Sequence, residues 1–198
     1  MKKRKIKVKR VTRETNISIE LNLDGKGKGD IKTGIGFLNH MLELFSKHGL
    51  FDLKIRAKGD LNVDLHHTNE DIGICLGTAF KKALGKKVGI RRYGYSFIPM
   101  DEALAKARVV LDISGRSSLF FQSRIKRCPM VEYGLQDAKG FLKAFTTNSG
   151  INMHADVLRG EDTHHAIEAL FKATARALKE AVAIDCRTKG VPSTKGRL

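Results

Sequence analysis

The chain has 198 residues, 41% hydrophobic and 29% charged, with three prolines and a formal net charge of +16. That length supports one ordinary core or two small ones packed together, and the composition is that of a globular protein, excluding a disordered tail. No apolar run approaches a membrane span, and the charge suits nucleic acid, a phosphorylated substrate or a solvated basic surface without choosing among them.

Residues 1–11 alternate Ile6, Val8 and Val11 with basic residues, the pattern of a first strand with one exposed face. They lack the apolar stretch and small-residue cleavage site of a secretory signal, so a cytoplasmic location is expected. Gly36-Phe-Leu then leads into a helical stretch over 39–47, a turn at His48-Gly-Leu and a strand over 51–57. A longer helix opens at Leu65-His-His-Thr-Asn-Glu-Asp and runs to about Leu84. Gly89, Gly94 and Pro99 mark a loop. Residues 106–113 and 119–125 read as strands, the second broken at Cys128-Pro129.

The order then returns. Gly140-Phe-Leu precedes a helical stretch over 143–148, a turn at Ser149-Gly-Ile and a strand over 152–158. A second long helix opens at Thr163-His-His-Ala-Ile-Glu-Ala and runs to about Ile184. This is an internal repeat. It predicts an α+β fold of two duplicated β-β-α-β-α-like lobes, each with roughly four strands and two helices, the sheets carrying their helices on one face. Residues 1–90 form the first repeat lobe and 91–198 the second with its C-terminal tail, in a single compact unit sharing one core. Cys75, Cys128 and Cys186 are odd in number, widely spaced and outside any CxxC pattern, and are expected to be buried thiols.

The chemistry is concentrated in the two helix openings. On a helix, His66 and Glu70 are four apart and His67 and Glu70 three apart, so either pair shares a face. Adjacent histidines diverge by about 100° around the axis, so one turn can serve two cations. His164, His165 and Glu168 repeat the arrangement. Five of the seven histidines lie in or just ahead of the two copies, counting His154. Imidazole with carboxylate suits manganese, iron or zinc.

Several strings, in order along nearly the whole chain, resemble the imidazoleglycerol-phosphate dehydratase family: Arg10-Val-Thr-Arg-Glu14-Thr, Gly34-Ile-Gly-Phe-Leu-Asn-His40-Met, His48-Gly-Leu-Phe-Asp, Leu65-His-His-Thr-Asn-Glu-Asp, Met100-Asp-Glu-Ala, Asp112-Ile-Ser-Gly-Arg116, His164-His-Ala-Ile-Glu-Ala-Leu-Phe-Lys172 and Pro192-Ser-Thr-Lys195-Gly. The resemblance implies a ribosomal protein S5 domain 2-like fold. It also implies dehydration of D-erythro-imidazole-glycerol phosphate to imidazole-acetol phosphate in histidine biosynthesis. It implies a pair of manganese ions (Mn2+) at sites between subunits, in homo-oligomeric shells of roughly twenty-four. The matching ligand positions are His40, His66, His67, Glu70, His164, His165 and Glu168. The substrate-contacting positions are Glu14, His40, His48, His66, Glu70, Arg92, Arg116, His164, Lys172, Ser193 and Lys195, the basic ones suited to clamping phosphate. The expected route holds the substrate ring as a metal-bound imidazolate that expels the neighbouring hydroxyl, with Glu14 moving the carbon-bound proton.

The pattern breaks in one place that matters. Opposite His40 the family commonly has a histidine in the second half, where this chain has Gly140. A water, Asp137, Glu132 or His154 is left to fill that ligand position, and His154 reads better as a pocket or core histidine. Residues 104–110 form a longer segment than usual, and Ser117 stands where proline is common. Two other function classes follow. One is a relative that keeps a metal as a structural staple with altered activity, which Gly140 supports. The other is a basic nucleic-acid-binding protein, for which no tryptophan and three tyrosines are poor stacking equipment. Neither a nucleic-acid nor a membrane partner is expected.

Overall fold

The computed structural model describes residues 4–100, 103–125 and 132–198. Cys128, the Asp101-Glu102 pair of the family string and residues 126–127 of a basic cluster lie outside the described residues. In chain order the elements are β1 (Lys5–Val11), β2 (Thr15–Asn22), β3 (Gly29–Lys32), α1 (Gly36–Gly49), β4 (Asp52–Gly59), α2 (His66–Leu84), β5 (Tyr93–Met100), β6 (Ala103–Asp112), β7 (Ser118–Ser123), α3 (Leu135–Ser149), β8 (Asn152–Val157) and α4 (Thr163–Val182).

The fold is α+β and the repeat is plain in its topology. The first sheet runs β1-β2-β4-β3 and the second β5-β6-β8-β7. In each, three pairs repeat the same senses: antiparallel, antiparallel, then parallel. The unit is therefore β-β-β-α-β-α, one strand longer than the β-β-α-β-α spelling. The added strand of the first unit, β3, has four residues and only Ile31 buried, too short for a periodic signal. α1 and α3 match at an offset of one hundred: each ends on a left-handed residue, Leu50 (φ 56°) or Gly150 (φ 73°), whose N–H returns to Ser46 or Thr146. Helices lie on the inner face of each sheet, where α1 packs on α4 and α2 on α3. One continuous apolar cluster spans both repeats, from Ile17, Ile19 and Leu21 to Leu170 and Leu178.

The segment read as a loop around Gly94 and Pro99 is strand β5. Its glycine is there for packing: a Cβ at Gly94 would strike the Ala177 carbonyl of α4. Its proline is tolerated because β5 is an edge strand. Cys75 is buried, and burial pushes its thiol up to about 11, whereas Cys186 is exposed, against expectation. No helix among the described residues is long and apolar enough to cross a membrane.

The outer faces of the two sheets differ at equivalent positions. Across the first sheet runs the row Lys7, Glu20, Lys54 and Asp30, charged and alternating in sign. The matching row of the second sheet is Tyr95, Val110, His154 and Phe120. Tyr95 is 63% exposed and Phe120 54%, with exposed Tyr93 and Phe97 flanking Tyr95 along β5. His154 stacks on Phe120 with ring centroids 4.5 Å apart. It is an exposed residue of a sheet face rather than a core histidine.

Candidate active site

The histidine turns are built at helix N-termini. α4 is capped by Asp162, whose carboxylate accepts the His165 N–H at 3.1 Å. At α2, Asp64 accepts the His66 N–H at 2.8 Å. In each, the first histidine meets the glutamate one turn later, His66 Nε2 to Glu70 Oε1 at 3.5 Å and His164 Nε2 to Glu168 Oε2 at 3.3 Å. The second histidine stands nearly edge-on to the first, interplanar angles being 77° for His66 and His67 and 82° for His164 and His165. The helical spacing thus divides each pair between two directions.

α1 completes one turn. His40 Nε2 lies 3.3 Å from Glu168 Oε2, so His40, His164 and Glu168 offer three ligand atoms all within 4.8 Å of one another. This donor set fits a divalent cation of the manganese, iron or zinc type. Phe37 buttresses His164 edge-on at 5.0 Å. Lys172 pairs with the other carboxylate oxygen of Glu168 at 2.5 Å. Burial pushes the Glu168 carboxyl up, but the Lys172 ammonium and the His40 hydrogen bond prevail and hold it below its ordinary value. His48, two turns along α1, is pushed down by burial and by Lys172 and Arg176, so it is neutral near pH 7.

α3 does not complete the other turn. Gly140 occupies the place of His40, and a Cβ built there would meet Glu70 Oε1 at 3.5 Å and Asn69 Nδ2 at 3.8 Å, both ordinary contacts. The helices are nonetheless locked together: Asn69 donates to the Asp137 carbonyl at 2.8 Å and accepts from the Tyr133 hydroxyl at 3.0 Å. Asp137 Oδ2 is engaged with the Gly134 N–H at 2.7 Å, and His154 is on the outer sheet face, away from Gly140.

His67 belongs to a third grouping, with Asp60 and Glu14. Glu14 sits in the β1–β2 turn, which Asp71 of α2 pins down by accepting from Thr15 Oγ1 at 2.5 Å and Arg10 Nε at 2.9 Å. That anchor places Glu14 Oε2 3.9 Å from His67 Nδ1. The hydrogen bond with Asp60, and then the Glu14 charge, raise the His67 pKa. Asp60, Asp71 and Arg176 were not singled out by sequence; Asp71 was visible only as a letter of the family string, and Asp60 and Arg176 carry no spacing signal.

The remaining candidates lie elsewhere. Arg92 (φ 75°) grips Asp112 bidentately at 2.6 and 3.0 Å and donates to the Pro192 carbonyl at 2.9 Å, which anchors the tail bearing Ser193 and Lys195. Gly115, beside exposed Arg116, abuts Leu198 at the end of that tail. Arg92 N–H bonds to the Ala181 carbonyl at the C-terminal end of α4. With a rise of about 1.5 Å per residue, α4 separates this group from His164 by roughly 25 Å.

A sequence profile of the family described as imidazoleglycerol-phosphate dehydratase matches residues 33–178. The chain belongs to that family. Similar imidazoleglycerol-phosphate dehydratases include those of Thermoanaerobacter pseudethanolicus, 56% identical over 195 residues (98% of this chain, 100% of that one), and Clostridium botulinum strain Langeland, 56% identical over the full length of both. The crystal structure of the Staphylococcus aureus dehydratase superposes with a TM-score of 0.81 at 38% identity, covering 91% of this chain and 99% of that one. That of the Pyrococcus furiosus enzyme gives 0.79 at 34%, covering 96% and 100%.

Proposed function

We propose that this chain dehydrates D-erythro-imidazole-glycerol phosphate to imidazole-acetol phosphate in histidine biosynthesis, as a cytoplasmic, manganese-dependent carbon–oxygen hydro-lyase. The observation that carries the reading is the pair of imidazole–carboxylate turns, one of them gathering His40, His164 and Glu168 from both halves of the chain. His40, His66, His67, Glu70, His164, His165 and Glu168 are the ligands in this reading. Bound divalent cations supply stabilisation of negative charge on the substrate's azole ring. Lys172 neutralises Glu168 and borders the ring's end of the site, while neutral His48 lies further along the same face. Glu14, tethered near His67, moves the proton on the carbon next to the ring. Arg116, Ser193 and Lys195 hold the phosphate, and Arg92 serves them by anchoring the tail.

Those phosphate residues stand far from the histidine turns of their own chain, which supports active sites shared between subunits, with one chain's tail reaching another's ligands. The aromatic row of the second sheet supports a homo-oligomer, in the family's shell of roughly twenty-four. Within each subunit we assign residues 1–90 and 91–198 to the two repeats.

The test is turnover of imidazole-glycerol phosphate by chelator-stripped protein, with and without manganese restored. Activity that returns with the metal supports the reading, and none under either condition defeats it. Gly140 favours one further reading, a relative that keeps a single structural ion. Metal analysis separates the two: about two ions per chain for the dehydratase site, about one for the staple.

A further inference from the structure

Asp60 has no part in the scheme above, yet it lies closer to the His67 ring nitrogen Nδ1 than Glu14 does. Its Oδ2 lies 2.9 Å from His67 Nδ1, and its Oδ1 is buried with no hydrogen-bond partner among the described residues. The backbone fixes it there. Asp60 directly follows β4, its carbonyl accepts the Val63 N–H at 2.8 Å in a tight turn, and Gly59 runs so close to α2 that a Cβ would strike the Thr68 hydroxyl. The carboxylate is thereby held over the first turn of α2.

An ionised carboxylate is acceptor-only, so an imidazole nitrogen hydrogen-bonded to it carries the proton, and the other ring nitrogen keeps its lone pair. We infer that Asp60 is a positioning residue that commits His67 to the Nδ1–H form, leaving Nε2 as the donor to a divalent cation. Carboxylate–imidazole–metal relays orient ligands in this way and make the imidazole more basic. The inference rests on the assignment of His67 as a ligand. It also separates the duties of two neighbouring acids: Asp60 holds the ring, and Glu14, farther from Nδ1, is spared for proton transfer. In the competing arrangement Glu14, Asp60 and Nδ1 grip an ion directly.

Manganese titration of the stripped, assembled protein, read by metal binding rather than turnover, decides the matter. Asp60→Ala is expected to weaken binding about 10–100-fold with the melting temperature unchanged. Asp60→Asn, whose amide oxygen still accepts from Nδ1–H, is expected to retain affinity within about fivefold. Should D60A fail to assemble, Asp60→Ser replaces it, since its hydroxyl is too short to reach the ring, and the same loss is expected. Ala or Ser variants that bind as the native chain does overturn the inference. An Asn variant as weak as the Ala one overturns it too, in favour of direct ligation. His67→Ala keeps the two levels apart: if it weakens binding and D60A does not, only the inference falls, and if H67A binds normally, the assignment of His67 as a ligand falls with it.

Discussion

The helix pairs α1/α4 and α2/α3 are built to one plan and finished differently. In the first, His40, His164 and Glu168 converge, Lys172 charges the rim and His48 lies beyond. In the second, Glu70, which meets His66, faces Gly140, and the positions of Lys172 and His48 are taken by Ile74 and Asn148. Exposure follows completeness: the Glu168 side chain is 8% exposed and that of Glu70 40%. A duplicated scaffold keeps the reach of its histidine turns, while what lies across from each turn is free to change.

The largest effect should come from the acid beside the less complete turn. Glu14→Gln is expected to lower turnover about 10²–10⁴-fold while manganese uptake stays native; near-normal turnover would remove Glu14 from the chemistry. Next in size is the inequality of the turns. In metal titrations His164→Ala should abolish the tighter class of site and His66→Ala the weaker, and Gly140→His should strengthen the weaker by about tenfold or more. Identical classes of site in the native chain would erase the contrast. Gly140→Ala, which adds no donor, should instead stabilise the helix by about 1 kcal/mol, measured by denaturant unfolding.

The sheets extend the contrast. Phe120→Lys should reduce the assembly's mass in sedimentation, whereas Lys54→Ala, on the equivalent strand pair of the first sheet, should leave it unchanged. The smallest effect concerns pH. Burial, Lys172 and Arg176 lower the His48 pKa in the folded chain. Between that lowered value and about 6.5 the unfolded chain binds more protons, so stability rises with pH across the window and is lost on acidification. His48→Asn, which copies Asn148, should flatten the fall in melting temperature as pH drops below about 6.5 relative to the native chain.

The long elements were legible because their periods were long. α2 begins at His66 and ends at Leu84 as read, and the repeat was visible from its glycine turns and paired histidines. β5 was hidden because Gly94 and Pro99 signal a break locally, while the reasons they are tolerated, the nearby Ala177 carbonyl and an unpaired edge, belong to the tertiary structure. Within the site, the helical turns could be drawn from spacing alone, and Gly140 could be placed opposite His40. Asp60 could not: it meets His67 through a loop whose path is set by Gly59 passing over Thr68, and no periodicity encodes such a crossing.

The cross-pairing of helices carries a consequence for how such a molecule can change. α1 meets α4 and α2 meets α3, so a repeat cut free would hold half of each histidine–carboxylate cluster and complete neither. Two identical copies of one repeat, associating about a two-fold axis, would recreate both clusters as mirror duties of the same residues, and any substitution would then alter both at once. Joining the copies in one chain removes that constraint. A glycine at 140 with a histidine at 40 is an arrangement that two identical copies cannot adopt.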